Sequence, residues 1–158
     1  MRAINKFLLC AILPVFALVL VFVPQRAASV PPQNPGAEPV PAFHAQPPEG
    51  ALPATMSASL FSDPVVKNAY AAAARVKKVL YQQPCYCFCD RSQGHGSLLD
   101  CFASKHGAGC GTCVREALYT YEQSRKGKTP AQIREGIERG EWQSVDLSKY
   151  QSPVIPAK

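Results

Sequence analysis

The stretch Gln83-Pro84-Cys85-Tyr86-Cys87-Phe88-Cys89, followed by Leu99-Asp100-Cys101-Phe102 and Cys110-Gly111-Thr112-Cys113, decides how this chain is read. Six cysteines fall within it, and helical patterns flank it on both sides. In extended backbone, residues two apart point the same way. Cys85, Cys87 and Cys89 would then share one face, with Tyr86 and Phe88 on the other; a tight turn is the alternative. Cys110 and Cys113 sit where a helix begins, and residues three apart there share a face. Unsatisfied N–H groups and the helix dipole at such a start favour thiolate. His95 and His106 lie in the connecting segment as further candidate ligands, weighed against a solvated loop role.

Working outward, Ser62-Asp63-Pro64 is a helix start, a capping side chain followed by proline at the first helical position. Val65, Ala69, Ala72, Val76 and Val79 or Leu80 recur at helical spacing, which predicts a helix to about Gln82. Pro84 stops it. A second helix is expected over about 111–126, with Val114, Ala117, Leu118 and Tyr121 as its apolar stripe and Gly127 as a left-handed stop. Thr129-Pro130-Ala131-Gln132 is a capping box opening a third helix to about Arg139. Ile133 and Ile137 face inward, Gly140 ends that helix, and Trp142 packs back on the core. The expected fold is mainly α: a small cysteine-stapled domain of these three helices. A unit of this size is marginal on a hydrophobic core alone.

The expected divisions are 1–26, 27–59, 60–143 and 144–158. The first is a membrane anchor or signal segment. Phe7 to Val23 is an unbroken apolar run behind Arg2 and Lys6. As a helix it would span about 25 Å, slightly short for a bilayer core and long for a signal peptide. The basic flank keeps the N-terminus inside. Ala27-Ala28-Ser29 offers a poor cleavage site, so a retained anchor is favoured over a cleaved signal. Cys10 is an apolar filler within the run. Nine prolines between residues 24 and 57 predict a disordered or polyproline-like spacer over 27–59. The tail 144–158 is expected to be irregular.

The net charge of +6 includes Arg2, Lys6 and Arg26 of the targeting arm. The rest is mixed in sign, with no clustered basic run beside aromatic platforms, so no nucleic-acid partner is expected. Val114 follows Cys113, so the haem-attachment signature is absent. Phosphate loops, a nucleophile elbow and H-E-x-x-H are absent too. Asp90 and Asp100 read as cap or turn residues rather than acid–base catalysts.

The three linked signatures, with the helix before them, resemble the bacterial PCYCGC-motif family, also called CYCXC. The resemblance covers roughly half the chain, from the helix before Pro84 to the helix around Ile133. It implies an exported protein, often lipid-anchored, of essentially unknown biochemical function. Selenocysteine in the CYCXC region of some members implies reactive selenol or thiol chemistry, or soft-metal binding. Phe88 stands where the family name has glycine, and Cys10 lacks the context of a lipid-attachment site.

Three readings of the cysteines remain open. The first is soft-metal binding, with Cys85, Cys87, Cys89, Cys101, Cys110, Cys113 and also His95 and His106 as candidate ligands, and Zn²⁺ or Cu(I) as the ion. The second is thiol–disulfide exchange, with Cys110 and Cys113 as the catalytic pair and Cys85, Cys87 or Cys89 as resolving partners. The third is structural stapling by three disulfides, with 15 possible pairings. The expected setting is the cytoplasmic membrane, crossed once by residues 7–23, with the domain outside. Secretion after cleavage near Ser29 is the alternative. The expected partner is an extracytoplasmic redox or metal-transfer protein.

Overall fold

The computed structural model describes residues 38–153, 155 and 156. The expected membrane or signal segment, Cys10 and the first part of the spacer lie outside these residues. Among the described residues there are helices and turns and no strand. No described helix is long and apolar enough to cross a membrane.

Helix α1 (Pro64–Arg75) begins as its sequence dictates. Asp63 caps it, its Oδ1 accepting from the N–H groups of Val65 and Val66 at 2.7 and 3.1 Å. Ala69 and Tyr70 to Ala73 are all buried, so α1 is surrounded rather than lying on the surface. The small alanines let neighbouring backbone come close. Tyr70 supplies bulk, packing on Phe61 and Phe102 with ring centroids at 4.1 and 4.9 Å. The helix does not run unbroken to Gln82. It stops at Val76, whose φ of −117° and ψ of 31° leave the α region. A short helix α2 (Lys77–Leu80) follows this break. Leu80 and Gln83, each 0% exposed, are buried beyond it.

Helix α5 (Gly111–Arg125) packs along α1. Lys126 stands as its cap, and Gly127 takes the positive φ of 79° that ends it. Thr129 then forms the expected capping box with Gln132, opening α6 (Pro130–Glu138). Gly136 lies where a Cβ would collide with the Tyr119 hydroxyl, so α6 crosses α5 on that bare backbone. Between α2 and α5 run two short helices, α3 (Cys89–Gln93) and α4 (Asp100–Ala103), and a 3-10 turn at His106–Gly109.

Two peripheral segments depart from the sequence expectation. Residues 38–59, expected within the spacer, lie against the helices. His44 stacks on Tyr81 at 3.9 Å, the Met56 N–H donates to Phe102 O at 2.8 Å, and Ala58 is buried. Isolated side chains, Leu52, Met56 and Ala58, dock it, with no periodic stripe to announce them. The C-terminal tail contains a 3-10 turn at Leu147–Tyr150. Buried Asn68 of α1 holds it: its Nδ2 donates to Tyr150 O and Ser152 O, and its Oδ1 accepts from Ile155 N.

Candidate metal centre

The Cys85–Cys89 segment is a turn, not a strand. Phe88 N–H donates to Cys85 O at 3.0 Å, and Phe88 adopts φ 55°, ψ 33°. It is the only non-glycine with positive φ among the described residues. The left-handed residue turns the chain, so that Cys89 starts α3 with its Sγ still within 4.8 Å of those of Cys85 and Cys87. The three thiols therefore point to a common centre instead of lining one face. Gln83 anchors the entry: its Nε2 donates to Val79 O and Pro130 O, and its carbonyl accepts from Leu98 N. Glu116 of α5 anchors the turn, its Oε1 accepting the Tyr86 N–H at 2.9 Å.

Other residues shape the far side. Asp100 Oδ2 accepts from Gly96 N and Ser97 N at 2.8 and 3.1 Å, fixing the loop that carries His95. That is the turn role read from the sequence for Asp100. Asp90 Oδ2 instead accepts from Ala42 N, 48 residues away, a tertiary contact that ties the N-terminal segment to α3. Tyr70 OH donates to Ser104 O at 2.6 Å and accepts from Ala108 N, bracketing the turn that carries His106. A Cβ on Gly107 would sit 2.9 Å from Cys101 O, so glycine permits that turn to close on α4. Cys110 caps α5, its Sγ accepting from Cys113 N at 3.5 Å.

All eight candidate ligands meet in this space. Cys85 Sγ lies 3.3 Å from Cys87 Sγ and 3.4 Å from Cys113 Sγ, and Cys87 lies 3.6 Å from Cys113. Cys89 and Cys101 are 3.4 Å apart, with His95 Nδ1 at 3.2 and 3.4 Å from them. His106 Nε2 is 3.8 Å from Cys87 Sγ, and the two imidazoles meet edge to face at 5.0 Å. None of these sulfurs is at the bond length of about 2.05 Å that a disulfide requires. The six cysteines are free thiols here, so the expected staples are replaced by a thiol cluster. Cys85, Cys89, Cys101 and Cys113 are buried, while Cys87, Cys110, His95 and His106 form a partly exposed edge.

The donors form four overlapping groups that could each hold a metal ion, with ligand atoms within 4.8 Å of one another. They are Cys87/His106/Cys110/Cys113, Cys89/His95/Cys101/His106, Cys85/Cys101/Cys113 and Cys85/Cys87/Cys89. Around a tetrahedral ion with metal–sulfur bonds of about 2.3 Å, ligand sulfurs sit about 3.8 Å apart. The observed contacts need to open by only a few tenths of an ångström.

The cluster sorts its own protons. Hydrogen bonds from the Cys101 and Cys85 thiols bring Cys113 down to about 3 and hold Cys89 well below the usual thiol range. Cys87 is lowered by Cys85, and its thiolate raises His106. Cys85 and Cys101, as donors, are pushed up, and burial takes Cys110 to about 12. Burial also raises Glu116 well above the carboxylate range, opposed in part by Cys85 and the Tyr86 N–H. Glu116, Tyr70 and Gln83 were not legible as site-shaping residues. Their only signal is polarity at helical or pre-proline positions that turn out to be buried.

The model of a family described as "Protein of unknown function with PCYCGC motif" matches residues 50–144, more than half of the chain. The chain belongs to the PCYCGC-motif family. In this family member the motif runs Pro84 to Cys89, with Phe88 in place of its glycine. The positive φ at that position gives the glycine a physical reason: it is backbone that side chains disfavour. The comparisons with curated proteins and with solved structures return no match.

Proposed function

We propose that this PCYCGC-family chain is an exported, membrane-tethered module that binds a soft metal ion, Cu(I) or Zn²⁺, through its thiolates. One observation carries the binding reading: eight sulfur and nitrogen donors, brought from separate segments between Cys85 and Cys113, converge in overlapping groups. Thiolate-rich donor sets select soft ions. Outside the cytoplasm, six unprotected thiols would oxidise, and a bound ion keeps them as ligands. The apolar run 7–23 and the proline-rich stretch behind it support export and tethering. The partly exposed edge of Cys87, Cys110, His95 and His106 is the side from which an ion enters or passes to a metal-transfer partner.

The exchange reading has less support from the same geometry. An attacking thiolate must be reachable, and the thiol of the pair with depressed pKa is Cys113, at 0% exposure. Its more exposed neighbour Cys110 is held protonated.

The test is elemental analysis of the full chain purified in detergent under reducing conditions, with free thiols counted by mass spectrometry. Retained Zn or Cu that is lost in Cys113→Ser supports the reading. Metal-free protein whose Cys110 and Cys113 cycle reversibly with a thiol reductant would replace it with the exchange reading. Protease accessibility and N-terminal sequencing of the membrane fraction test the tether, and a mature chain starting near Val30 would remove it.

A further inference from the structure

The four donor groups are not separate. Cys85, Cys87, Cys89, Cys101, Cys113 and His106 each belong to two of them, and any two groups share one residue. That is the connectivity of an octahedron of donors with the groups on its alternate faces. Cys110 and His95 lie outside the octahedron, each as a fourth donor on one of the two faces that meet at His106.

We propose that the site holds a thiolate-bridged tetranuclear Cu(I) cluster, one ion on each of the four faces. This rests on the soft-metal reading above and adds nuclearity and ion to it. A thiolate sulfur has lone pairs enough to bridge two soft ions. The neutral His106 nitrogen has one lone pair and serves a single ion. Cys110 and His95 compensate for that limit. Whichever face His106 joins, the other still has three donors: Cys87, Cys110 and Cys113, or Cys89, His95 and Cys101. Three donors suit Cu(I), whereas structural zinc is almost always four-coordinate. The all-cysteine groups Cys85/Cys101/Cys113 and Cys85/Cys87/Cys89 offer three apiece. Cys85 is the shared corner, in contact with Cys87 at 3.3 Å and Cys113 at 3.4 Å, so it cannot be assigned to a single isolated site. Each thiol that enters the cluster exchanges its proton for copper, and no change of oxidation state is needed. Six thiolates on four Cu(I) leave a core with two negative charges.

The experiment is anaerobic Cu(I) titration of the reduced full chain in detergent, on a Cys10→Ser background, against a competing Cu(I) chelator. Stoichiometry is read by native mass spectrometry and the metal environment by X-ray absorption at the copper edge. The expected result is a cooperative passage from the metal-free chain to four ions, with sulfur-dominated ligation and a short metal–metal shell. Cys85→Ser removes a corner common to two faces and lowers the count. Cys110→Ser leaves three donors on its face, Cys87, Cys113 and His106, and keeps four ions. Loading that stops at one ion, or at two ions without a metal–metal shell, overturns the cluster and leaves soft-metal binding standing. Failure to bind Cu(I) or Zn²⁺ at all overturns both.

Discussion

At an ordinary position, replacing a residue with alanine leaves a protein about 0.5–1 kcal/mol more stable than replacing it with glycine, because glycine loses more freedom on folding. Phe88 should invert that order. Its φ of 55° places it in the left-handed region, where an L side chain costs about 1–2 kcal/mol and glycine costs nothing. The Phe88 ring also makes contacts, an edge-to-face packing with Tyr86 at 5.8 Å and the Arg91 guanidinium 4.3 Å above it. Both substitutions remove those contacts equally, so they cancel in the comparison. Subtracting the glycine entropy from the left-handed cost leaves Phe88→Gly ahead of Phe88→Ala by about 0–1.5 kcal/mol, centred near 0.75. The assay is urea unfolding of the reduced chain, followed by the emission of its single tryptophan, Trp142, which packs on the core. Alanine ahead of glycine by the ordinary margin of about 0.5–1 kcal/mol would refute a left-handed residue here. The turn that gathers Cys85, Cys87 and Cys89 would then need another explanation.

Other expected outcomes follow from the core beneath the cluster. Gly136→Ala puts a methyl group into the Tyr119 hydroxyl and should cost about 1–3 kcal/mol by urea unfolding. Asn68→Ala frees the tail carbonyls of Tyr150 and Ser152, lowers stability by at least about 1–3 kcal/mol, and should speed proteolysis after residue 145. Glu116 gives a pH dependence. Its folded pKa is raised above the unfolded one, so the native state binds the extra proton and loses stability as pH rises from the ordinary carboxylate value towards the raised one. Glu116→Gln keeps an acceptor for Tyr86 N, so it should be more stable than the parent at neutral pH, with the advantage vanishing towards pH 4. A parent that gains stability over that same rise would contradict the buried, neutral carboxyl.

What could be read in advance was what local chemistry fixes. Asp63-Pro64 opens α1, Thr129 and Gln132 box the start of α6, and Gly127 and Gly140 take the positive φ values that end helices. Six cysteines marked where the chemistry lies. What escaped was set by partners distant in sequence. Asn68 looks like a helix-surface residue until the tail, 82 residues on, arrives at its amide. Phe88 between two cysteines reads as strand, and only the turn's closure makes it left-handed. His95 and His106 sit in segments without periodicity. Their approach to the sulfurs depends on Asp100, inside the middle cysteine signature, and on Tyr70 and Gly107, which belong to no motif. The break at Val76 likewise answers to the burial of Leu80 and Gln83 rather than to any local stop signal.

The central claim is that the six cysteines from Cys85 to Cys113 act as ligands and not as staples or exchange centres. Its most direct test is thiol alkylation of the full chain with and without added Cu(I) or Zn²⁺, read cysteine by cysteine by mass spectrometry. The account predicts that the metal-free reduced chain is alkylated first at Cys87, the partly exposed thiol with lowered pKa, and more slowly at the other five, and that metal protects all six together. Six thiols that react alike with and without metal, or that isolate as three unreactive disulfides, would contradict it.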